Sequence, residues 1–461
     1  MVTPREVLAQ CREKSVRAVD LWFTDLPGRW QRFTLPVQQL DEDLFEQGFA
    51  GASSYLGIAE AESEGMVLFV PQPDTAFIDP TATQPTLGLV CSITTPYTGE
   101  ESPWDARHVA MRAVSYLAVA GGAQGVDVGW SLDYYLFRAG RGVPRRWPST
   151  LVRDDLSQLG FEALGYDAEA TEAVESVALG QADAVSMRHQ LAQAMAGCRF
   201  PLAAQHSLSC AAGQSHLDVL PQPLVRAADG VMVVKHFARQ LARAQGLQAT
   251  FMPQPLFGSC GSGWGVQLAI RDHDRAVFAG SGYAGLSDTA LYAIGGLLRH
   301  APSLAAFTNP STNSFRRLAS HPLIGGYSQR PHAMVHVPNY QASPATKRIV
   351  YRVPDATANP YLALAAMVMA MADGIQNKIS PGKPAEQSEG AGNGGQARPV
   401  TLPADLNSAL EALSADHDYL LRGEAFSTEL VQAWIRHKQS VDVTPLRSRP
   451  HPHEYSLYFD C

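Results

Sequence analysis

The stretch "VRAVDLWFTDLPGRWQRFTLP", residues 16–36, decides how the chain begins to fold. Apolar residues alternate with polar ones on both sides of an Asp-Leu-Pro-Gly segment, in which Pro27 and Gly28 suit a tight turn. The pattern therefore predicts a β-hairpin that opens a small sheet domain. Helical spacing in "REVLAQCREK" (5–14) predicts a helix before it, and apolar runs broken by prolines in 65–93 predict further short strands.

Length and composition indicate an ordinary folded protein. The 461 residues are 46% hydrophobic and 17% charged, unlike disordered chains, and are enough for a large core. The formal net charge of -8 argues against a nucleic-acid-binding surface, which needs clustered basic residues. Six dispersed cysteines without a CxxC pair predict neither a disulfide framework nor a zinc ribbon.

No segment predicts export or insertion into a membrane. The N-terminal residues lack the apolar core of a signal peptide. The most apolar stretch, 361–375, is shorter than the roughly 20 residues that span a bilayer, and it contains Asp373. We therefore expect a buried helix at this stretch and a cytoplasmic protein.

Beyond residue 100 the pattern changes from short strands to long helices that alternate with strands. Asp105 is placed to cap the first of these helices. We predict an α+β protein of two domains, residues 1–100 and residues 101–461. The segment "PGKPAEQSEGAGNGGQARP" (381–399) is rich in Gly, Pro and Glu, which predicts an exposed flexible loop in the second domain.

Three long stretches carry a resemblance to a known family. They are "ATFMPQPLFGSCGSG" (249–263), "SGYAGLSDTALYAIGGLLRHAPSLAAFTNPSTNSFRRL" (281–318) and "YRVPDATANPYLALAAMVMAMADGIQNKI" (351–379). Together they resemble the bacterial-type glutamine synthetases, and the hairpin and the C-terminal "HPHEYSLYFDC" (451–461) extend the resemblance almost from end to end. It implies an N-terminal β-grasp domain and a catalytic-type domain with a curved antiparallel sheet and helices. It also implies hexameric rings or a dodecamer, in which neighbouring subunits complete each active site.

The resemblance further implies a chemistry and its cofactors. Family members use ATP to activate the γ-carboxylate of glutamate, and ammonia or an amine then displaces phosphate. Two or three divalent cations balance the charge of the nucleotide and of the transferred phosphoryl group. ATP and Mg²⁺ are therefore the cofactors that the family would use.

The positions that resemble the family's metal-site residues carry different side chains in this chain. In chain order they are Ser131, Asp133, Leu208 (or Ser207 if the match slips by one), His216, Gly265, Gln267 and Val350. The family has histidines where Gly265 and Gln267 stand and glutamates at the other positions. Mg²⁺ prefers carboxylate oxygens, so this set predicts no metal site of the family's kind. A structural histidine is the main interpretation of His216, and a new metal site with Asp133 is the alternative.

Other positions of the family's active site have changed as well. Ala50 in "FAGASS" stands where the family has the aspartate that deprotonates ammonium. The segment "SHPLIGGYSQ" (320–329) lacks the glutamate of the family's flap. In "RPHAMVHVP", Pro331 and His336 replace two arginines that clamp phosphate, although Arg330 lies beside the first.

Four residues match ligand-binding positions of the family. The resemblance assigns Gly261, Arg317 and Arg352 to the substrate, and Arg348 to the nucleotide. Structural pairing of the strand arginines with internal acids is an equal alternative.

The glycine-rich stretch "FGSCGSGWGVQLAI" (257–270) keeps the family's frame and changes its coordinating positions. We expect Trp264 and Gln267 to fill or reshape the space of the absent ligands. We expect Cys260 to be an inert small residue, with a redox role as the alternative.

These observations leave three hypotheses. The first is a pseudoenzyme of nitrogen or amino-acid metabolism that binds an amino acid or carboxylate, in its own ring or together with an active glutamine synthetase. The second is an active divergent ligase of glutamate with ammonia or an amine, or an enzyme of changed, metal-free chemistry. Candidates for new acid, base or nucleophile roles are Asp133, His206, Cys210, His216, His332 and His336. The third is a structural or regulatory subunit without a ligand.

Overall fold

The structure of the chain is a computed structural model. It describes residues 2–58, 60, 65–96, 98–139, 161–163, 182–208, 213–256, 258–272, 275–339, 343–388 and 400–449. Cys210, residues 389–399 of the predicted loop and the C-terminal stretch 451–461 lie outside this part. Residues 381–388 of the same predicted loop are described, and four of them form a short helix (Ala385–Ser388).

The predicted N-terminal helix and hairpin are confirmed. Helix α1 (Pro4–Glu13) begins with a capping box, in which Thr3 and Glu6 exchange hydrogen bonds between side chain and backbone. Strands β1 (Ala18–Thr24) and β2 (Trp30–Pro36) then pair antiparallel. Gly28 in the turn has a φ of +94°, a conformation that glycine adopts without strain.

The N-terminal sheet has six strands in the order β2-β1-β6-β4-β3, with β5 paired to β6. The further strands are β3 (Phe49–Ala52), β4 (Met66–Pro71), β5 (Phe77–Ile78) and β6 (Thr86–Thr94), and helix α2 (Glu42–Gln47) precedes β3. The central pair β1 and β6 is parallel, whereas the other pairs are antiparallel. This mixed sheet is the one that the predicted β-grasp domain requires.

The second sheet has ten strands in the order β14-β15-β16-β12-β7-β10-β9, with β8 and β11 on β7 and β13 on β12. Its strands are β7 (Gly125–Ala139), β8 (Phe161–Ala163), β9 (Leu202–Ser207), β10 (Gln214–Pro223), β11 (Leu247–Thr250), β12 (Trp264–Asp272), β13 (Arg275–Ala276), β14 (Ile324–Ser328), β15 (Ala333–His336) and β16 (Ile349–Tyr351). All their pairs are antiparallel except β14 with β15. The predicted antiparallel sheet is confirmed.

Helices complete the second part of the chain. They are α3 (Ala106–Gly121), α4 (Ala182–Gly197), α5 (Leu224–Ala244), α6 (Asp288–Arg299), α7 (Ala301–Thr308), α8 (Thr312–Ser320), α9 (Pro360–Gln376), α10 (Ala385–Ser388), α11 (Leu406–Ala415), α12 (Asp418–Leu421), α13 (Thr428–Lys438) and α14 (Thr444–Arg447). Asp105 caps α3 as predicted, since its side chain accepts a hydrogen bond from the Arg107 N–H at 2.9 Å.

Helix α9 lies at the centre of the helical layer, where it packs against α3, α5, α6 and α7. Every residue from Pro360 to Gly374 is buried, which confirms the expected buried helix. In the described part of the chain, no helix combines the length and the apolar character needed to cross a membrane.

The N-terminal sheet contacts the helical layer where the hairpin turn lies against the start of α9. A Cβ atom on Gly28 would lie 2.9 Å from the Cα atom of Asn359. The Asn359 side chain donates hydrogen bonds to the carbonyls of Asp25 and Leu26, and it also accepts from the Tyr361 N–H. One asparagine thus caps the central helix and holds the hairpin turn.

The two faces of the ten-stranded sheet differ along each strand. In β12, Trp264, Val266 and Leu268 are buried in the hydrophobic core, whereas Gly265 and Gln267 lie on the opposite face and are only partly buried. Trp264 is therefore on the core side, and the expectation that it fills the space of absent metal ligands is wrong. We call the opposite face the cleft face; its central residues are Ser131 and Asp133 (β7), His216 and Asp218 (β10), Gly265 and Gln267 (β12), and Val350 (β16).

Candidate functional site

Strand register places distant sequence positions side by side on the cleft face. Ser131 pairs with Asp218 on one side and with Gly265 on the other. Asp133 on β7 pairs with His216 on β10. Because residues directly opposite each other on neighbouring strands point to the same face, these side chains are close neighbours.

Further pairs lie beside these on the cleft face. Gln267 pairs with Val350, and Val350 pairs with His336. On the other side His216 pairs with His206, whose ring centroid lies 4.7 Å away. The positions that the sequence matched to the family's metal site therefore do form one surface.

Asp133, His216 and Asp218 form a hydrogen-bonded and ionic group, which we call the acid–histidine cluster. Nδ1 of His216 lies 2.6 Å from Oδ1 of Asp133, and Nε2 of His216 lies 3.4 Å from Oδ2 of Asp218. The second oxygen of Asp133 accepts a hydrogen bond from the Gly263 N–H at 3.0 Å. His216 and Asp133 are each 19% exposed.

The surroundings of His216 determine its protonation state. An ionised carboxylate only accepts hydrogen bonds, so a ring that faces one at each nitrogen carries a proton on both. Burial by itself lowers the pKa of His216, but the hydrogen bonds and charges of Asp133 and Asp218 outweigh burial and raise the pKa to about 9. Burial and the neighbouring positive charge of His216 lower the pKa of His206. His216 is therefore a fixed cation at neutral pH.

Gly265 and its neighbours provide little for a cation. A Cβ atom built on Gly265 would lie 2.6 Å from Oγ of Ser131 and 3.8 Å from Cγ1 of Val350. The space that a side chain would need at this position is therefore taken by the Ser131 hydroxyl. Gln267, also on this face, extends beside Gly129, where a Cβ atom would lie 3.0 Å from its Oε1.

Leu208 and Ser207, the alternatives for a further ligand position, present no carboxylate either. The Leu208 N–H donates to the Gln214 carbonyl at 3.0 Å, which closes the connection between β9 and β10. The Ser207 hydroxyl accepts a hydrogen bond from Arg188 at 2.9 Å.

Arg317 and Gly261, two of the predicted substrate-binding residues, pack against each other. A Cβ atom on Gly261 would lie 2.4 Å from Cγ of Arg317, so only glycine fits there. Arg317 is buried, and its guanidinium donates to the carbonyls of Val353 and Pro354. Burial lowers the pKa of Arg317, and the charges of Asp355 and Asp133 oppose this shift. Arg317 thus supports the end of β16, and its role toward a substrate stays a prediction.

Arg352 and Arg348 flank Val350, so strand alternation places both on the cleft face. Arg352 is exposed, and its charge interacts with that of Asp133. Burial and the charge of Arg352 lower the pKa of His336. Arg348 is half-buried and lies at the other end of the same strand.

The remaining predicted positions are spread around this face. Ala50 lies exposed on β3, at the edge of the N-terminal sheet. Arg330, Pro331 and His332 form an exposed turn before β15. Cys260 takes part in a disulfide bond, so the expectation of an inert small residue is wrong.

Asp218 and Glu386 are two acids that the sequence analysis missed. Asp218 follows His216 by two residues on one strand, so alternation alone could have placed it on the same face. Glu386 accepts hydrogen bonds from the Ser328 hydroxyl, the Gln329 N–H and the Tyr283 hydroxyl at 2.7–2.9 Å. It therefore fastens helix α10 to β14, at the far edge of the sheet, and its contacts could not be read from its own segment.

The residues present do not fit the divalent cations that the family uses. Both nitrogens of His216 and both oxygens of Asp133 already have partners, and Gly265 and Val350 have no donor atom. In the part of the chain that the structure describes, no three His, Cys, Asp or Glu side chains form a group that could hold a metal ion. Mg²⁺ prefers carboxylate oxygens, which Gly265 and Val350 lack, and the absence of the family's metal site stays a prediction.

A mixed β-grasp sheet followed by a ten-stranded, mainly antiparallel sheet with helices on one side is the fold class that the resemblance implies. Residues 15–96 match the family model of the glutamine synthetase β-grasp domain, and residues 103–458 match that of the glutamine synthetase catalytic domain. The chain belongs to the glutamine synthetase family.

Relatives and solved structures agree with this assignment. Glutamine synthetase from Microchaete diplosiphon is 37% identical over the whole of both chains, and that from Aquifex aeolicus is 35% identical over 99% of each. The cryo-EM structure of Plasmodium falciparum glutamine synthetase covers 99% of both chains with a TM-score of 0.83 at 18% identity. A structure described as "Apo GmaS without ligand" covers 98% of this chain and 99% of its own with a TM-score of 0.80 at 23% identity. At these identities the two structures show the fold alone.

Proposed function

We propose that this chain is a glutamine synthetase-family protein that binds an amino acid or another small carboxylate without the family's metal-dependent ligation. The observation that carries the proposal is the cross-strand register of the cleft face, which brings Ser131, Gly265 and Val350 together where the resemblance implies metal ligands. Neutral side chains there cannot balance the charge of Mg²⁺.

The balance of charges on the cleft face supports an anionic ligand. Cationic His216, Arg317 and Arg352 lie around Asp133, and the nearest further acid on the face is Asp218. Of the cations, Arg352 is the exposed one. A guanidinium that is open to solvent can accept a carboxylate in a two-point contact, so Arg352 is the residue that we expect to bind the ligand.

We also propose the setting in which the protein works. The domain boundary lies at residues 100 and 101, and the chain forms a homo-oligomer of the family's ring type or assembles with an active glutamine synthetase. We place it in the cytoplasm, in nitrogen or amino-acid metabolism.

A second candidate function is an active divergent ligase of glutamate with ammonia or an amine. Whole-length identities of 35–37% to proteins named glutamine synthetase favour it. In this case the chain would have to hold ATP and its cations in a way that the described residues of the cleft face do not suggest.

Phosphate release separates the two candidates. The protein is incubated with ATP, glutamate and ammonia or a panel of amines, in Mg²⁺ and in Mn²⁺. We expect no release above background. Turnover of roughly 1 per second or more, in the ordinary range of enzymes, would establish the ligase and overturn the proposal.

Calorimetry tests the proposed binding directly. Glutamate, glutamine and simple dicarboxylates are titrated into the protein in EDTA, with an amine that lacks a carboxylate as the negative ligand. We expect at least one carboxylate to bind, and Arg352→Ala to weaken its binding about tenfold or more. Arg316→Ala removes an exposed arginine outside the cleft face and is the matched control. Absence of binding, together with co-purification of an active glutamine synthetase, would favour an assembly subunit.

A further inference from the structure

The acid–histidine cluster lies where three strands of the cleft face have to be held together. Asp133 belongs to β7, His216 and Asp218 belong to β10, and Gly263 immediately precedes β12. The resemblance implies that metal ions tie these same segments together in the family. In this chain the backbone ladders join these strands, and two side-chain contacts add to them, that of His216 with Asp133 and that of Asp133 with the Gly263 N–H. Asp218 holds the other side of the His216 ring from within β10.

The geometry gives the cluster a positive centre with acidic partners on two sides. The two ring nitrogens lie 2.6 Å and 3.4 Å from carboxylate oxygens, so the ring is enclosed as a small cation would be. Asp133 also accepts a hydrogen bond from the backbone N–H of Gly263, which stabilises its negative charge. Unlike a metal ion, this cation is covalently part of the chain and is present in every molecule.

We infer that the His216 side chain is a built-in substitute for a divalent cation, which holds β7, β10 and the start of β12 in place with no metal bound. The inference concerns the same cleft as the proposed function, but it needs no ligand. Its tests therefore use the ligand-free protein, and their failure would leave the calorimetric test of the proposed function untouched.

Space around the cluster supports this assignment. The Ser131 hydroxyl takes the room next to Gly265, and Asp218 pairs with Ser131 from the other side. A metal ion at this place would have to displace the protons of His216 and break its contacts with both carboxylates. That exchange is costly in a partly buried site.

Thermal unfolding with and without metal is the first test. The full chain is purified, and its melting temperature is measured in EDTA and in Mn²⁺, Mg²⁺ or Zn²⁺. We expect the wild-type value to change by less than about 1 °C, and metal analysis to find no bound ion in stoichiometric amount. A rise of several degrees in one of the metals that His216→Gln abolishes, or one tightly bound ion per chain, would overturn the inference.

Substitution of His216 is the second test. His216→Gln keeps a polar side chain but removes the charge, and we expect the melting temperature in EDTA to fall by about 5 °C, because two carboxylates lose their cation. His216→Glu places a third carboxylate beside Asp133 and Asp218. We expect it to melt lower still in EDTA and to regain several degrees in Mn²⁺, which the wild type does not.

Controls keep this test informative if a variant folds poorly. His206→Gln changes the neighbouring histidine, which does not bridge the two acids, and we expect a shift of less than about 2 °C without any metal dependence. Asp218→Asn weakens only the longer contact, so an intermediate loss is expected if His216→Gln does not fold. Equal effects of His206→Gln and His216→Gln would contradict the special role of His216.

Discussion

The two faces of the ten-stranded sheet differ in how deeply their side chains are buried and how tightly they are packed. On the core face, side chains such as Trp130, Trp264 and Leu132 are fully enclosed, and each must match the volume left by its neighbours. On the cleft face, Ser131 and Gln267 are only partly buried, so exchange of one side chain for another costs little stability. The core face therefore fixes the fold, whereas the cleft face can carry different side chains without loss of the fold.

The largest expected effect comes from the core face. Trp264→Ala should lower the free energy of unfolding by about 3–5 kcal/mol, because it leaves a cavity beneath the sheet. Gln267→Ala, three residues further along the same strand and on the cleft face, should stay within about 0.5 kcal/mol of the wild type. Chemical denaturation measures both. Similar losses of stability in the two variants would contradict the expected difference between the faces.

The pH dependence of stability tests the charge of His216, which two carboxylates of the cleft face hold in place. The pKa of His216 is raised by Asp133 and Asp218 to about 9, above the ordinary value of 6.5, so its contribution is complete below about pH 6.5 and is lost as the pH rises through about 9. The difference corresponds to a contribution on the order of 3 kcal/mol.

Unfolding free energies at several pH values between 6 and 10 check this expectation. His216→Gln should remove this component of the slope and leave the curve flatter over that range. Two carboxylates face His216, Asp133 on β7 and Asp218 on its own strand, and the titratable ring of His206 on β9 lies beside it. His206→Gln is the control for this ring. A slope that survives His216→Gln unchanged would assign the pH dependence to other groups.

A smaller effect is expected where the cleft face meets the buried Arg317. Gly261→Ala would place its Cβ atom 2.4 Å from Cγ of Arg317 and 2.9 Å from the Pro253 carbonyl oxygen. We expect a loss of about 1–3 kcal/mol, because both neighbours have to move. Gly125→Ala, a strand glycine with open space around its Cβ position, is the matched control and should cost less than about 1 kcal/mol. Denaturant unfolding measures the stability of both variants, and equal losses would contradict the expectation.

The smallest expected effect concerns Gly265, which stands where the resemblance implies a metal ligand. Gly265→Ala brings a Cβ atom to 2.6 Å from the Ser131 hydroxyl, which can rotate away. We expect a loss of about 1 kcal/mol in the wild type and clearly less in a Ser131→Ala background. A double-mutant cycle measures this coupling. Additive losses would mean that the Ser131 hydroxyl does not determine the glycine at 265.

Local sequence patterns predicted the elements whose formation depends on a short segment alone. The hairpin follows from alternation around Pro27 and Gly28, the start of α3 from Asp105, and the buried α9 from an apolar stretch too short for a membrane. Resemblance to the family supplied what these signals lack, namely the β-grasp domain and the antiparallel character of the large sheet, but not the order of its strands. Strand order depends on contacts between segments that are far apart in sequence.

The site was predictable as a set of positions but not as a set of contacts. Sequence placed Asp133 and His216 near each other through the resemblance, yet it missed Asp218, which completes the cluster. It also placed Trp264 in the cleft, although strand alternation with Gly265 and Gln267 sends it to the core. The disulfide bond of Cys260 could not be read from dispersed cysteines, because pairing depends on distance in space.

Asn359 joins the β-grasp hairpin to the central helix with a single side chain, which has a practical consequence for cutting the molecule. Its amide donates to the carbonyls of Asp25 and Leu26 while its oxygen caps α9 at the Tyr361 N–H. A fragment that lacks residues 1–100 would leave the first turn of α9, its most buried helix, without the hairpin turn. The N-terminal sheet thus covers the first turn of α9. We expect residues 1–100 and 101–461 to fold poorly when they are expressed separately, and limited proteolysis not to release them as independent fragments.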